Sequence, residues 1–330
     1  MRVFFLATAV FLVFGCAGEE SEDSSPGSQL RIAEQHGLAY LPLGIMQVTG
    51  VLDEELARVS AGEAEWIRTG NATMIREAML SERLDIGFMG IPPFLIGVDR
   101  DTGWQLITGL SEAPLGLVTT RRNYESLSDI SPQDRIALPQ PGSIQHILLA
   151  MAAERAFDEP QRFDDQLVSM GHPEGLTALL AGRDVTAQFT SPPYLFQALD
   201  HQDATLLLDG KEAFGGRFTF IVGVTAPGWA RKTENSEARE AFLRALDRGI
   251  DAARSLQETV RHDPEASPEL LRELSSFYDI TEARLREQLA YPGMVYTREI
   301  VGVERFVERM DRYGYIDADD LPQYRSSPLE

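Results

Sequence analysis

The chain has 330 residues, enough for two domains of ordinary size. With 43% hydrophobic and 25% charged residues, its composition is that of a globular protein with a core. Its net charge of −21 argues against the basic face that nucleic-acid phosphates require, and a single cysteine, Cys16, excludes an intramolecular disulfide. Lysine is confined to Lys211 and Lys232 while acids abound, which fits either a salt-rich habitat or a biased genome.

Met1-Arg2 is a minimal basic start, and the next twelve residues, up to Phe14, are apolar apart from one Thr. That run is too short to span a bilayer and the right length for a signal-peptide core, so residues 1–15 are expected to be removed. Gly15-Cys16 has the look of a bacterial lipobox, in which Cys16 is lipidated after cleavage. Val13 departs from the commoner Leu, and Phe14 is bulky for its place; an ordinary secretory signal with a bystander cysteine is the alternative. Residues 16–28 are acidic and Ser-rich without an apolar period, as expected of a disordered tether.

Folded structure is expected from Leu30. Residues 30–34 read as a strand and 36–44 as a loop holding Gly37, Leu38, Tyr40 and Pro42. A helix to about Val51, a surface connection at 52–56 and a strand at 64–68 follow. Gly70-Asn71-Ala72-Thr73 opens a helix with Asn71 as its N-cap and Met74, Ala78, Met79 and Leu80 on its apolar face. Residues 85–89 form a strand before Pro92-Pro93, and 94–98 a helix. Strand-like runs at 104–110 and 115–120 flank Ser111-Glu112-Ala113-Pro114, the first crossover between two lobes.

Residues 127–130 lead into a strand at 135–138, and Pro139-Gln140-Pro141-Gly142-Ser143 precedes a helix over 144–154 capped by Ser143. A strand at 166–170 and a second helix-strand-Pro-Pro unit follow. Strands at 204–208 and 218–225 flank the flexible Phe214-Gly215-Gly216, with 218–225 as the return crossover. Beyond Ser236, amphipathic helices at 237–261, 268–277, 282–289 and 299–313, the second and third capped by Ser267 and Thr281, are expected to pack on the first lobe. The expected division is residues 29–112 and 226–330 for the first lobe and 113–225 for the second.

Residues 83–95 (RLDIGFMGIPPFL) are echoed at 183–195 (RDVTAQFTSPPYL). Proline cannot donate to a ladder, so Pro92 and Pro192 each end a strand. Met89, Gly90 and Ile91, and Phe189, Thr190 and Ser191, then stand at strand C-terminal ends, where open α/β sheets bind ligands. One half-molecule used twice explains the echo; a chance likeness of two helix-strand units is the alternative.

The helix starts at Gly142-Ser143, with Gln145 and His146 beside it, and at Gly70-Asn71-Ala72 offer free N–H groups to an electron-rich ligand atom. Either is equally an ordinary cap. No nucleophile elbow, zinc-protease helix, Walker loop or dinucleotide fingerprint occurs, so no catalytic residue, cofactor or metal is expected. The five histidines lack paired spacing, with His36, His146 and His172 assigned to the cleft. Asp99/Asp101 and Asp317/Asp319/Asp320 match only fragments of calcium loops and read as solvated acidic loops.

The lipobox, the acidic tether, RIALPQPGSIQHILLAMAAE at 135–154, the unit at 85–94 and Thr190–Tyr194 together resemble the substrate-binding lipoproteins of ABC importers. The nitrate/sulfonate/taurine group, with its binders of thiamine-related pyrimidines, is the nearest, over about residues 30–251. The resemblance implies an α/β type 2 periplasmic-binding-protein fold of two lobes with two crossovers. It also implies a small-molecule ligand, ABC permease transmembrane subunits as partners, and an extracytoplasmic, lipid-anchored monomer with no enzymatic activity. By the same resemblance the ligand-binding residues are Leu38, Tyr40, Asn71, Ala72, Met89, Gly90, Ile91, Ser143, Gln145, Thr190, Ser191 and Phe214. The expected cleft loops hold no Arg or Lys. That leaves open a neutral or aromatic ligand, stacked on Tyr40, Phe94, Tyr194 or Phe214, or an anion held by helix starts alone. An extracytoplasmic sensor and, further off, a cofactor-biosynthesis enzyme on the same fold are the other readings.

Overall fold

The structure is a computed structural model, and it describes residues 29–320. The expected signal peptide, Cys16 and the expected tether lie outside the described residues, as do residues 321–330.

The first lobe opens with β1 (Leu30–Glu34), α1 (Leu41–Thr49), α2 (Val51–Ala57), β2 (Ala64–Arg68), α3 (Ala72–Leu80), β3 (Ile86–Gly90), α4 (Ile91–Val98) and β4 (Gln105–Glu112). β1 pairs in parallel with β2 and β3. Helix connections returning to parallel strands are what the alternation of period-2 and period-3.6 segments demands. The chain then crosses through Ala113-Pro114-Leu115 into the second lobe. There it forms β5 (Gly116–Thr119), β6 (Ile136–Leu138), α5 (Ile144–Phe157), β7 (Leu167–Ser169), α6 (His172–Ala181), β8 (Ala187–Thr190), α7 (Tyr194–Leu199), β9 (Thr205–Asp209) and α8 (Gly210–Phe214). It returns to the first lobe in β10 (Ile221–Thr225). α9 (Pro227–Ala230), α10 (Ser236–His262), α11 (Glu269–Phe277), α12 (Glu282–Leu289), β11 (Val295–Tyr296) and α13 (Val303–Arg312) follow.

The two sheets run β11-β4-β10-β3-β1-β2 and β7-β6-β8-β5-β9. Apart from the two-residue edge strand β11, they share one plan. β10 lies antiparallel between β3 and β4, and β5 lies antiparallel between β8 and β9, each having crossed over from the other lobe. β3 and β8, the strands of the repeated sequence unit, hold equivalent places.

Several expected elements are corrected. Residues 52–56 are not a surface connection but part of α2: Val51, Leu52 and Leu56 are buried, and the buried Glu55 pairs with Arg244 and Arg248 of α10. The return strand begins only at Ile221 and belongs to the first sheet, so the second lobe ends before it rather than at 225. Phe214 ends a helix, with Gly215 in the left-handed conformation closing it. The two Pro-Pro pairs differ: Pro92 and Pro93 fill the first turn of α4, where their missing N–H groups cost nothing, whereas Pro192-Pro193 is a cis peptide ahead of α7.

The C-terminal helices pack on the first lobe through α10 against α1 and α2. They also reach the second lobe. Arg309 and Arg312 of α13 bond Glu154 of α5 at 2.9 and 3.0 Å, and Arg305 donates to the carbonyls of Phe214 and Gly215 at 2.8 Å each. At the other end of the cleft Arg284 pairs with Asp200 at 3.3 Å, and Tyr291 lies 3.9 Å from Phe196, ring centre to ring centre.

Candidate functional site

The C-terminal ends of the parallel strands of both sheets open on the gap between the lobes, and two adjoining chambers lie there. The inner one, of about 20 Å³, is lined by Ala72, Gly90, Pro93, Gln140, Ser143, Ile144, Gln145, His172 and Phe220, among others. The outer one, of about 360 Å³, lies between the loop after β1, the end of β2, the start of α7 and the helices α11 and α12. Gln35, His36 and Tyr40 line both. The lobes already touch: the Leu38 N–H donates to the Pro192 carbonyl at 3.2 Å, and the Thr73 N–H donates to Gln140 Oε1 at 3.1 Å. Gly37 makes the first contact with φ of 125°, and a Cβ there would stand 3.1 Å from the Pro192 oxygen.

The polar groups of the inner chamber largely bond one another, except that the Gln140 amide nitrogen is buried without a hydrogen-bond partner. Asn71 Oδ1 accepts from the Met74 N–H at 3.1 Å, and Ser143 Oγ accepts from the His146 N–H at 3.3 Å. With Gln140 on Thr73, these helix starts have given up N–H groups that an anion would use. Three other expected residues, Gln145, Thr190 and Ser191, gather around His172. Its Nδ1 is 2.9 Å from Thr190 Oγ1, and its Nε2 is 3.5 Å from both Gln145 Nε2 and Ser191 Oγ. The ring stacks on Tyr194 at 5.9 Å. Burial, helped by His36, pushes His172 down to about 4, so it is neutral near pH 7. A space of about 20 Å³ admits one water.

The outer chamber is built differently. Arg68, the last residue of β2, donates through Nε and Nη2 to Glu34 Oε1 at 3.0 and 2.7 Å, and its guanidinium lies 4.9 Å from the Phe277 ring centre. Glu34 is buried, which raises its pKa, while Arg68 and a bond from Gln47 pull it back. The cleft therefore does hold a cation, contrary to the sequence expectation, but one already matched by a carboxylate. Tyr194, Phe277 and Tyr278 supply aromatic walls. Gln288 of α12 is 1% exposed, and its amide nitrogen has no hydrogen-bond partner. The buried Tyr278 hydroxyl also has none.

Of the expected residues, Leu38 and Tyr40 line the outer chamber and Tyr40, Ala72, Gly90, Ser143 and Gln145 the inner one. Met89, Ile91, Thr190 and Ser191 are buried, and Asn71 caps its helix. Phe214 is displaced from the cleft altogether. It packs against Phe218 and Phe306 at 5.0 and 4.7 Å, under Arg305, because α8 turns it toward α13. Phe94 is likewise core, 1% exposed in α4. His146 points away from the cleft, its Nδ1 accepting from the Gly142 N–H and its Nε2 2.9 Å from Asp164. The sequence reading missed Arg68, Gln140, Phe277, Tyr278 and Gln288. One signal was present: Gln288 stands three residues after Leu285 and one before Leu289, on the apolar stripe of α12. The two acidic loops meet, the Asp317 N–H donating to Asp99 Oδ1 at 2.7 Å, but among the described residues no group of three ligand-type side chains could hold a metal. No helix among them is long and apolar enough to cross a membrane.

No family model matches the chain, and no curated protein matches it. Solved structures do. The alkanesulfonate-binding protein SsuA from Xanthomonas axonopodis pv. citri, bound to MOPS, is 18% identical with a TM-score of 0.67, over 91% of this chain and 96% of that one. The periplasmic nitrate-binding protein NrtA from Synechocystis PCC 6803 is 14% identical with a TM-score of 0.68, over 89% and 84%. A Candida albicans protein described as having the generic periplasmic binding protein structural fold is 13% identical with a TM-score of 0.62, over 91% and 92%. With its two sheets of one plan and two crossovers, the chain has the type 2 periplasmic-binding-protein fold.

Proposed function

We propose that the chain is an extracytoplasmic solute-binding protein that closes its two lobes on a small molecule and presents it to the transmembrane subunits of an ABC permease. The observation that carries this reading is the pair of chambers at the strand ends, lined from both lobes of a fold whose chain crosses twice between them. The solute is either an anion of the sulfonate, nitrate or taurine kind or an aromatic heterocycle such as a thiamine pyrimidine precursor. The protein acts as a monomer held to the membrane through lipidated Cys16, and it releases the solute chemically unchanged.

A thermal-unfolding screen against sulfonates, nitrate, bicarbonate, pyrimidines, flavins and amino acids tests this. A solute at one hundred times its dissociation constant stabilises by about 2.7 kcal/mol. The expected result is a rise in Tm with one chemical class, with the solute recovered intact by mass spectrometry. A flat screen on protein shown to be empty by denaturing mass spectrometry contradicts the reading, and conversion of the solute replaces it with an enzyme.

A further inference from the structure

The two chambers differ in the room beside their polar groups. Each holds a buried carboxamide with an unpartnered nitrogen, Gln140 in the inner one and Gln288 in the outer one. Beside Gln140 there is space for about one water, about 20 Å³, whereas beside Gln288 there are about 360 Å³. A buried donor left unbonded is costly, and beside a space that admits a ring-sized guest it is placed to be matched by one. Gln288 is also the residue that the stripe of α12 would fill with an apolar side chain if packing were its only task.

The charge of the chamber is equally specific. Arg68, which would attract a sulfonate or carboxylate, is bonded twice to Glu34, so the pair presents no net charge, and Asp279, also in the lining, is a carboxylate that disfavours an anion. The walls are the rings of Tyr194, Phe277 and Tyr278. A site of a few hundred Å³ with aromatic walls and a buried carboxamide whose nitrogen is unpartnered suits a ring-sized guest. A carboxamide offers a donor and an acceptor side by side, the complement of a lactam or a second carboxamide.

We infer that the outer chamber is the solute site and that it takes a flat, uncharged solute with a lactam or carboxamide edge, read by Gln288 and stacked among Tyr194, Phe277 and Tyr278. This rests on the solute-binding reading and chooses within it. The C-terminal segment thereby becomes part of the site: α12 carries Gln288 and also reaches the second lobe through Arg284 and Asp200.

The test uses the full chain and Gln288→Met, a near-isosteric change that removes the amide. Uracil, nicotinamide and hypoxanthine serve as uncharged probes, and taurine, methanesulfonate and nitrate as anions, with binding followed by thermal shift and titration calorimetry. At least one uncharged probe should bind, and Gln288→Met should weaken it about tenfold or more. The same substitution should leave the Tm of the empty protein unchanged or higher, which a structural glutamine would not do. Binding of the anions with an affinity indifferent to Gln288→Met overturns the inference and leaves the transport reading standing. Binding of no uncharged probe overturns the solute class assigned here. Failure of these probes and of every solute in the wider screen removes the transport reading as well.

Discussion

The inner and outer chambers are neighbours, share Gln35, His36 and Tyr40, and yet embody opposite arrangements. The inner one collects the features most readable as a site, two capped helix starts and a histidine cluster, and has spent them on itself. The outer one collects features that look unremarkable in sequence, a strand-end arginine and two C-terminal helices, and leaves a buried amide idle. Each keeps one unpartnered amide nitrogen, Gln140 in the inner and Gln288 in the outer, so polar residues at strand ends mark where a cleft forms and the room beside them decides where a guest fits.

The largest effect is expected at the ion pair of the outer wall. Arg68→Ala strands the buried Glu34 carboxylate and should destabilise the protein by about 3 kcal/mol in urea unfolding, with Arg68→Met/Glu34→Gln recovering most of the loss. A loss below about 1 kcal/mol for the single change would mean the pair is solvated and the chamber charged.

The inner chamber should respond to pH instead. His172 is held at about 4 in the folded protein against about 6.5 unfolded, so the folded state favours the neutral ring. Its contribution is complete above pH 6.5 and is lost as pH falls toward 4, by up to about 3 kcal/mol. Stability measured from pH 7 to 4 should flatten in His172→Gln. An unchanged slope would show that the inner cluster is open to water.

A third effect lies behind the outer wall. A Cβ on Gly44 of α1 would clash with the Tyr278 hydroxyl, so Gly44→Ala should displace that ring and cost about 1–3 kcal/mol. Tyr278→Phe should restore part of it, since the Phe keeps the ring and removes the clashing oxygen. The smallest effect is expected from the caps. Asn71→Ala and Ser143→Ala should each cost about 1 kcal/mol and leave solute affinity within about twofold. A tenfold loss of affinity from either would move the site to the inner chamber.

Much of this was legible in sequence because local rules decided it. The repeated unit at 83–95 and 183–195 announced two lobes, and the topology gives β3 and β8 equivalent places. Asn71, Ser143 and Thr281 cap the helices they were expected to cap, each accepting from a backbone N–H. Other points needed tertiary information. Residues 52–56 look polar enough for a surface turn because Glu55 is charged, and only α10 shows that its partners are Arg244 and Arg248. Phe214 lies next to a Gly-Gly pair that resembles a cleft loop, but α8 and α13 bury it in an aromatic cluster. Arg68 and Gln288 are separated by more than two hundred residues, and no local pattern says they line one space.

The most direct test is a crystal structure of the protein with the solute that the thermal screen identifies. The account predicts density in the outer chamber, flat between Tyr194 and the Phe277–Tyr278 walls and within hydrogen-bonding distance of the Gln288 amide, with the inner cluster around His172 unchanged. Density seated instead on the helix starts at Ala72 and Ser143, with Gln140 swung off Thr73, would contradict it.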